Sequence, residues 1–553
     1  METDFQQRVF EYRPREDNDE GIHPVVVVGA GPIGLATAID LARQQIPVIL
    51  LDDDNRLSNG SRAICFAKRT LEIFDRLGCG DSMVKKGVSW NVGRVFMGNE
   101  QIYSFDLLPE QGHERPAFIN LQQYYVEGYL QERAQKLPSL DLRWSSRVTG
   151  LTQNADGVTL TVSAPDREYA LRAQYVVAAD GGRSAIRGFL GLESKGRVFQ
   201  DRFLIADVKM TAEFPSERWF WFDPPFHRGQ SVLLHRQPDD VWRIDFQLGW
   251  DADPVAERAP ERVIPRIQAL LGKEVDFTLE WVSIYTFCCL RMDKFRHGRV
   301  LFAGDSAHGV SPFGARGANS GVQDADNLAW KLRLVLQGKA PDALLDTYGS
   351  EREYAADENI LNSTRATDFI TPKSAVSRLF RDATLQLARD HAFARKMVNS
   401  GRLSLPSVYS DSLLNTPDVQ PFATALRPGA PAADAPVAID GAPDWLLRRV
   451  GDDFTGIYFA GSHIDAEVLR RCACLAEADV PMRTLVVVAP GTSAGPGMLA
   501  DTEGLVRQRY GAQPGSFYLL RPDQHVCARW REFDETAVRQ AIARATCNVK
   551  ETA

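Results

Sequence analysis

The sequence of 553 residues lacks the features that mark several large classes of protein. No apolar run approaches the roughly 20 residues that a membrane-spanning helix needs, and the charged first twenty residues lack the apolar core of a signal peptide. The eight cysteines form no Cys-x-x-Cys pair, which argues against a structural zinc site and fits a reducing cytoplasm. The net charge of −8 argues against nucleic acid as the main partner.

What is present is an ordinary globular composition, with 44% hydrophobic and 25% charged residues. The sequence contains no internal repeat and no low-complexity tract. At roughly 150 residues per domain, its length predicts about three domains. We therefore expect a cytoplasmic protein of several domains, without a membrane span and without a metal site.

A strand, a glycine turn, a helix and a second strand follow one another near the N-terminus. The β-branched run at residues 24–28 predicts a buried strand, and Gly29-x-Gly31-x-x-Gly34 comes directly after it. The first glycine permits a tight turn, the second lets a pyrophosphate approach the backbone, and the third lets the helix pack on the strand. Asp52 ends the second strand, where an acid binds a ribose hydroxyl. The pattern predicts dinucleotide binding without choosing NAD or FAD, and a mere tight turn is the alternative.

Two further motifs follow predicted buried strands. Asp180-Gly181-Gly182 comes after the first of these strands, and Gly304-Asp305 comes after the second. A segment rich in Pro and Gly, residues 311–321, then leads into a predicted helix that begins near Ser320. Between residues 200 and 290 the sequence alternates and is rich in aromatic residues, which is typical of an antiparallel sheet.

Together the three motifs resemble the fingerprints of the class A flavoprotein aromatic hydroxylases. This family includes para-hydroxybenzoate hydroxylase, phenol hydroxylase and 3-(3-hydroxyphenyl)propionate hydroxylase, and the resemblance covers about residues 22–395. It implies FAD as cofactor, NADH or NADPH as transient reductant and O₂ as co-substrate. The implied reaction is the hydroxylation of a phenolic or related aromatic compound through a flavin C4a-hydroperoxide. A flavin epoxidase, a Baeyer–Villiger-type oxygenase acting on a polyketide-like substrate, and a flavin-free binding protein of the same fold stay open as alternatives.

The resemblance also implies an α/β fold with a Rossmann-like FAD-binding domain interleaved with an antiparallel-sheet substrate domain. The C-terminal part resembles the thioredoxin-like domain of the phenol hydroxylase branch through its element order, with strands at 483–488 and 517–520 and a helix at 501–510. The absence of a Cys-x-x-Cys pair there predicts a redox-inert domain that packs or dimerises. The expected boundaries are 1–20 for a flexible leader, 21–80, 115–195 and 286–400 for the FAD-binding domain, 81–114 and 196–285 for the substrate domain, 401–443 for a linker, and 444–553 for the thioredoxin-like domain.

Residue by residue, the resemblance implies cofactor contacts along all three motifs. The implied residues are Gly29, Gly31, Pro32, Gly34, Asp52, Arg62, Gln123, Asp180, Gly304, Asp305, Pro312, Gly317, Ala318 and Asn319. The N-terminus of the helix near Ser320 would stabilise the anionic reduced flavin. Asp180 and Asp305 could instead be helix caps or turn residues, and Gln123 could lie on an exposed helix. His308 is expected to be structural.

An aromatic substrate needs flat apolar walls and a few polar anchors, and hydroxylation of a phenol needs a route for its proton. In the predicted antiparallel sheet, the candidate substrate residues are Trp221, His235 and Gln247, and the candidate catalytic residues are His235, Tyr285 and Arg243. Each could also be an ordinary residue of the sheet. Ile64 stands about where phenol hydroxylases have an acidic residue, so no catalytic base is transferred from the family. The expected partners are a small aromatic substrate and, as a possibility, a second copy of the chain.

Overall fold

The structure is a computed structural model that describes residues 5–14, 21–60, 62–212, 214–398, 403–461, 464–492 and 494–549. In these ranges the α-helices are α1 (Pro32–Arg43), α2 (Lys68–Leu77), α3 (Gly80–Lys86), α4 (Gln123–Ala134), α5 (Ala185–Phe189), α6 (Pro260–Leu271), α7 (Gly317–Leu336), α8 (Asp346–Ile370), α9 (Ala375–Ala388), α10 (Ala392–Met397), α11 (Ala466–Ala476), α12 (Leu505–Tyr510) and α13 (Glu535–Ala545).

The strands of the same ranges form three large sheets and one small one. They are β1 (Ile22–Val28), β2 (Val48–Leu51), β3 (Cys65–Ala67), β4 (Val88–Trp90), β5 (Val92–Met97), β6 (Glu100–Asp106), β7 (Phe118–Asn120), β8 (Leu140–Arg143), β9 (Arg147–Gln153), β10 (Val158–Ser163), β11 (Glu168–Ala178), β12 (Ser194–Lys209), β13 (Arg218–Phe222), β14 (Ser231–Arg236), β15 (Val241–Leu248), β16 (Thr278–Met292), β17 (Arg296–His297), β18 (Val300–Phe302), β19 (His308–Gly309), β20 (Pro436–Ile439), β21 (Ala442–Trp445), β22 (Phe454–Phe459), β23 (Met482–Val488), β24 (Leu499–Ala500), β25 (Phe517–Leu520) and β26 (Val526–Trp530).

The first large sheet carries the glycine turn. Its strand order is β17-β18-β11-β1-β2-β8, and β10 and β9 extend it from β11. Strand β1 lies between β11 and β2 and is parallel to both. Helix α1 packs on β1 and β2 and against α4 and α7, and residues 25–28 are buried. A continuous β-branched run therefore forms the centre of the sheet, as expected for a strand covered on both faces.

The second large sheet has the order β19-β16-β12-β15-β14-β13-β5-β6. Its neighbours are antiparallel except for the parallel pair of β13 and β5, which confirms the predicted antiparallel, aromatic-rich sheet between residues 200 and 290. One face packs Trp221, Trp242 and Phe246 into a core. The other face carries Phe203 and Phe287 into a different cluster. This second face is the one that meets the parallel sheet at the site described below.

The third large sheet has the order β21-β20-β24-β23-β22-β25-β26, and β3, β7 and β4 form the small one. Strands β23 and β25 appear at the predicted places. The predicted helix at 501–510 begins only at Leu505. Asp501 lies before the helix, and its carboxylate accepts hydrogen bonds from the N–H groups of Val506 (3.1 Å) and Arg507 (3.0 Å) in the first turn. Strand β20 lies inside the range that was expected to be a linker.

The N-terminal segment 5–14 packs against the parallel-sheet region, whereas the sequence predicted a flexible leader there. Phe5 contacts the rings of Tyr125 and Tyr129 edge-on, with centroids 5.9 and 5.2 Å apart. Phe10 stacks on Trp144 at 4.4 Å. Residues 1–4 and 15–20 of the predicted leader lie outside the described residues.

A buried ionic network joins the third sheet to helices α7 and α8. The Arg521 guanidinium donates to Glu351 (Nη1–Oε1 2.6 Å) and to Asp523 (Nη2–Oδ2 2.5 Å). Glu351 also accepts from Lys331 Nζ at 2.8 Å. These side chains are almost completely buried, so each charge depends on its partners. Removing one partner from such a network typically costs about 3–5 kcal/mol.

None of the helices in the described ranges combines the length and the apolar composition needed to cross a membrane.

Candidate active site

A cavity of about 1290 Å³ lies where the parallel sheet meets the antiparallel sheet. Its walls include the residues that follow β1, β2, β11 and β18, which is the edge where open parallel sheets bind ligands. The opposite walls come from β12, β14, β15 and β16. Of the predicted cofactor residues, all except Gly34 and Gly304 line this cavity.

The three glycines of the turn have different surroundings. Gly29 has a φ of +101°, and a Cβ there would lie 2.5 Å from the carbonyl oxygen of Ala179. A Cβ on Gly34 would lie 1.8 Å from the carbonyl oxygen of Gly29. A Cβ on Gly31 would meet no atom within 4 Å, because that position faces the cavity. Gly29 and Gly34 therefore serve the fold, and Gly31 leaves room for a ligand at the N-terminus of α1.

Asp52 closes the same end of the cavity. Its carboxylate accepts hydrogen bonds from the N–H groups of Ala30 (Oδ2, 2.5 Å) and Asp54 (Oδ1, 2.9 Å). Burial raises the pKa of Asp52 to about 6, although these two hydrogen bonds oppose the shift. At neutral pH the carboxylate is therefore mostly ionised, and it can accept hydrogen bonds from hydroxyl groups.

Asp180 and Asp305 each present carboxylate oxygen to the cavity. Asp180 Oδ2 accepts from the N–H of Ile186 at 3.1 Å, as the cap alternative anticipated, but its buried Oδ1 has no hydrogen-bond partner in the described chain. Asp305 is accessible through the cavity and forms no hydrogen bond with a described residue. The protein atoms packed around its carboxyl group exclude water from its other sides, and this burial raises its pKa. A buried oxygen without a donor is unfavourable, so Asp180 fits a ligand that brings a hydroxyl or amide donor. The Asp305 carboxylate is open to the same kind of ligand through the cavity.

Buried side chains that do not line the cavity fix the turn before Asp305. Asp324 Oδ2 accepts from the N–H of Gly304 at 2.9 Å and lies 2.7 Å from His308 Nε2. Arg352 Nε donates to Asp324 Oδ1 at 2.6 Å. Burial raises the pKa of Asp324, but Arg352 and His308 together lower it by a larger amount, so the net shift is downward. Gly304 and His308 therefore belong to the support of the site and do not face the cavity.

Gln123 joins helix α4 to the loop that carries Arg62. Its Oε1 accepts from the N–H of Ala63 at 3.2 Å, and its Nε2 donates to Glu127 Oε1 at 2.7 Å. Glu127 Oε2 in turn accepts from the N–H of Ser58 at 2.6 Å. Gln123 is thus half-buried and bridges helix α4 and the loop, so it does not lie on an exposed helix face. Its hydrogen bonds hold the loop at the wall of the cavity.

Helix α7 points its N-terminus at the cavity and begins at Gly317, three residues before the predicted start. The first N–H groups of any α-helix have no carbonyl partner within that helix. In α7 these are the N–H groups of Gly317, Ala318 and Asn319. The Asn319 side chain binds the neighbouring backbone: its Oδ1 accepts from the N–H of Ala67 (2.8 Å), and its Nδ2 donates to the carbonyl of Cys65 (2.9 Å). The positive end of the helix dipole is therefore held at this wall.

The antiparallel sheet contributes polar side chains at the other end. His235 and Arg243 face each other in the register of β14 and β15, and both line the cavity together with Tyr285. Burial, Arg218 and Arg243 lower the pKa of His235 well below 6.5, so the imidazole is neutral. Burial raises the pKa of Tyr285, against the opposing effect of Arg243 and Arg62.

Two of the predicted substrate residues lie elsewhere. Trp221 is on the opposite face of the sheet, where it stacks on Phe96 with ring centroids 5.1 Å apart. Gln247 shares a face with Arg243 but lies beyond the cavity, and its Oε1 accepts from the N–H of Ser231 at 3.0 Å. The structure therefore brings His235, Arg243 and Tyr285 together and leaves Trp221 and Gln247 outside.

Sequence reasoning missed the aromatic walls and one cation. Phe203, Phe287 and Phe313 pack around one another with ring centroids 4.8 to 5.1 Å apart, and Phe203 and Phe313 meet from distant parts of the chain. Arg218 is buried and lines the cavity. The sequence could have revealed Arg218, because it alternates with Phe220 and Phe222 and therefore lies on the same face of the strand as these two rings.

A glycine turn, strand-end carboxylates and a helix N-terminus around one elongated cavity define a dinucleotide-binding protein of the flavoprotein type. The chain belongs to the family described as FAD binding domain (FAD_binding_3), whose model matches residues 23–363. This confirms the resemblance to the flavoprotein aromatic hydroxylases.

The relatives of the chain are flavin-dependent monooxygenases and hydroxylases. The 3-(3-hydroxy-phenyl)propionate/3-hydroxycinnamic acid hydroxylase of Mycolicibacterium smegmatis is 29% identical over 67% of this chain, and the match spans 65% of that relative. The 6-methylpretetramide 4-monooxygenase of Streptomyces rimosus is 30% identical over 93% of this chain and 92% of its own length. The solved structure of the flavin-dependent monooxygenase PieE with FAD and substrate has a TM-score of 0.81 at 22% identity, covering 96% of this chain and all of PieE, which shows a shared fold.

Proposed function

We propose that this chain is a FAD-dependent monooxygenase that uses NADH or NADPH and O₂ to hydroxylate a phenolic or related aromatic compound. The observation that carries the proposal is the continuity of one cavity. It runs from Gly31 and Asp52, which fit the adenosine half of a dinucleotide, to Phe203 and Tyr285 on the antiparallel sheet. A cofactor bound along it would end against an aromatic-walled space for a substrate.

The residues present fit FAD. Gly31 and the N-terminus of α1 would hold the pyrophosphate, and Asp52 would accept from a ribose hydroxyl. The unsatisfied oxygens of Asp180 and Asp305 would accept from further hydroxyls of the cofactor. The N-terminus of α7 would stabilise negative charge on the ring system. When bound, FAD supplies the redox chemistry that side chains lack, since it accepts a hydride and passes the electrons to O₂.

The side chains of the antiparallel sheet would bind the substrate and control its proton. Arg243 favours negative charge on a nearby phenolic oxygen, as its effect on the pKa of Tyr285 illustrates. Neutral His235 and protonated Tyr285 can each exchange a hydrogen bond with that oxygen. The aromatic cluster of Phe203, Phe287 and Phe313 would exclude water from the ring.

We also propose that residues 444–553 form a thioredoxin-like domain without redox activity. The strand order β23-β22-β25-β26 supports the first part, with β23 parallel to β22 and the other two pairs antiparallel. The lack of a Cys-x-x-Cys pair supports the second part. Cys472 is buried, and burial raises the pKa of its thiol to about 11. A homodimer and a cytoplasmic location stay predictions.

The test is the purified full-length protein with FAD. Oxidation of NADH and of NADPH is followed with and without each member of a phenol panel, and products are identified by mass spectrometry. We expect one phenol to accelerate oxidation and to gain one oxygen atom. No acceleration by any phenol would contradict the proposal, and a lactone or epoxide as product would favour the alternative oxygenases.

A further inference from the structure

A second cavity, of about 350 Å³, lies on the antiparallel sheet beyond the main cavity. We call it the α9 cavity; its walls are residues 201, 229–230, 247–250, 372–375 and 378, which come from β12, from the loop before β14, from the end of β15 and from the junction of α8 and α9. Among the described residues, none lines both this cavity and the main one. Its size is at the lower end of the range for small-molecule sites, so it can hold a ligand smaller than a dinucleotide.

The α9 cavity carries one positive charge that the protein does not balance. Its charged wall residues are Asp201, Lys373 and Arg378. The buried Asp201 carboxylate forms an ion pair with Lys373 Nζ and accepts from Trp250 Nε1 at 3.1 Å. The exposed Arg378 guanidinium forms no hydrogen bond or ion pair with any described residue. The cavity therefore favours a ligand that brings a negative charge.

The N-terminus of helix α9 forms part of the same wall. Ser374 and Ser377 form a capping box, which satisfies the N–H groups of these two residues. The N–H groups of Ala375 and Val376 have no hydrogen-bond partner in the described chain. Side chains of a helix tilt towards its N-terminus, which directs Arg378 to this end. Free N–H donors at the positive end of a helix dipole favour an anion.

A buried amide gives independent evidence for a ligand. Gln247 is only 8% exposed, and its side chain lines the α9 cavity. Its Oε1 accepts from the N–H of Ser231 at 3.0 Å, while its Nε2 has no acceptor among the residues that the structure describes. A buried donor without an acceptor is unfavourable. An anionic oxygen in the cavity would satisfy this amide.

Trp250 gives the cavity a flat apolar edge. Its hydrogen bond to Asp201 fixes the indole, and Lys373 Nζ lies 5.7 Å from the ring centroid. The residue is nevertheless 48% exposed. An aromatic side chain held at a surface beside cationic groups is a platform on which a nucleobase stacks. The cavity thus combines an anion site with a stacking surface.

We propose that the α9 cavity binds a nucleoside monophosphate group, with the phosphate at the N-terminus of α9 and the base on Trp250. The donors around the phosphate are Arg378, Gln247 Nε2 and the free N–H groups of the helix. They come from a helix end and from a sheet, so a tetrahedral phosphate matches them better than a planar carboxylate. The inference does not need the proposed function, because this cavity is separate from the main one.

The test is isothermal titration calorimetry of the FAD-loaded full-length protein, in which the cofactor occupies the main cavity. The probes are AMP and its two parts, adenosine and inorganic phosphate. We expect AMP to bind about 10- to 100-fold more tightly than adenosine, because the phosphate accepts charge-assisted hydrogen bonds. We expect it to bind about 10-fold more tightly than inorganic phosphate, because the base stacks.

Three variants separate the two parts of the site. Arg378→Gln should weaken AMP binding about 10-fold and leave adenosine unchanged. Gln247→Met, which removes the amide donor, should weaken AMP binding in the same direction. Trp250→Leu should weaken AMP binding about 10-fold and leave inorganic phosphate unchanged.

A free mononucleotide and the adenosine half of NADH or NADPH share this chemistry, and a competition experiment distinguishes them. NAD⁺ or NADP⁺ is added to the AMP-loaded protein without an electron donor, so that no turnover occurs. Displacement of AMP by one of them, together with weaker binding of that dinucleotide to Arg378→Gln, would assign the cavity to the reductant. AMP binding that neither dinucleotide affects would assign it to a free mononucleotide. Either result supports the inference.

Arg365→Gln is the matched control. Arg365 is also an exposed arginine whose guanidinium has no hydrogen bond or ion pair to a described residue, but it lies on α8 outside the α9 cavity. This variant should bind AMP like the wild type. No binding of AMP by the wild type, equal binding of AMP and adenosine, equal binding of AMP and inorganic phosphate, or an equal loss in Arg378→Gln and Arg365→Gln would overturn the inference.

Discussion

Replacing Gly31 with alanine is expected to weaken FAD binding without weakening the fold. The new Cβ would meet no protein atom within 4 Å, because it would enter the space where we place the cofactor pyrophosphate. Moving the phosphates away from the backbone N–H groups weakens charge-assisted hydrogen bonds, which contribute about 1.5–3 kcal/mol each. The loss of one such bond raises the Kd for FAD about 10- to 100-fold.

Gly34→Ala is the matched control, because it places the same methyl group three residues away. Its Cβ would lie 1.8 Å from the carbonyl oxygen of Gly29, so helix α1 has to move away from the turn. Overpacking of this kind costs about 1–3 kcal/mol. The melting temperature of the FAD-free protein should therefore fall for Gly34→Ala and stay unchanged for Gly31→Ala.

The assay combines FAD titration by flavin fluorescence with scanning calorimetry of the FAD-free protein. Two results would refute the reasoning. One is a Gly31→Ala variant that binds FAD like the wild type. The other is a Gly31→Ala variant whose melting temperature falls as far as that of Gly34→Ala, since the methyl group would then disturb the fold and not the ligand.

Three further predictions concern pH, the buried network and the substrate. Burial raises the pKa of Asp52 from 3.8 to about 6. The stability that this shift provides is therefore fully present below pH 4 and is lost as the pH rises to 6. In urea titrations of the FAD-free protein, the unfolding free energy of Asp52→Asn should exceed that of the wild type by a difference that grows across this window to about 3 kcal/mol. Glu351→Gln leaves Lys331 and Arg521 without their shared carboxylate and should cost about 3–5 kcal/mol, whereas an unchanged melting temperature would contradict the network. Tyr285→Phe removes one hydrogen bond to the phenolic oxygen, so kcat/KM for the phenol that stimulates the enzyme should fall about 10-fold. Gln247→Met should leave the KM for this phenol unchanged, and the opposite pattern in steady-state kinetics would reverse our placement of the two residues.

Local motifs made the cofactor end predictable from the sequence. Gly29, Gly31, Gly34 and Asp52 lie within one strand–helix–strand unit, so their spacing in the chain determines their arrangement in space. The two later carboxylates, Asp180 and Asp305, were predicted through the family resemblance. The fold explains why they lie together, since each follows a buried strand and the strand ends of a parallel sheet meet at one edge. Even there the chain alone did not reveal that Asp180 would use one oxygen as a cap and leave the other unfilled.

The substrate end was harder to predict because it depends on which face each strand buries and how far the cavity extends. Trp221 has the residue type of a substrate wall, but it faces the opposite core. Gln247 has the right alternation and lies beyond the cavity. The sequence does not single out Arg218, because the aromatic run that follows it, residues 219–222, is the stronger signal for a substrate wall. The aromatic wall formed by Phe203 and Phe313 joins segments about a hundred residues apart, and no local pattern reports such a contact.

The C-terminal region shows the same contrast between local pattern and distant packing. Strands β23 and β25 were predictable from their own apolar runs. The proline-rich range before them was expected to be a linker, yet Pro436 begins a strand that pairs with β21 and β24. The buried Arg521 and Glu351 pair is 170 residues apart in sequence, so its role in joining this region to helix α8 is visible only in the folded chain.

The most direct measurement of the central claim uses isotope-labelled oxygen. The FAD-loaded enzyme is supplied with NADH or NADPH, the phenol that best stimulates oxidation and ¹⁸O₂ in unlabelled water. The account predicts a hydroxylated ring that contains one ¹⁸O atom, in proportion to the NAD(P)H consumed under coupled turnover. A product whose new oxygen comes from water, or NAD(P)H consumption without a hydroxylated product for every phenol tested, would contradict it.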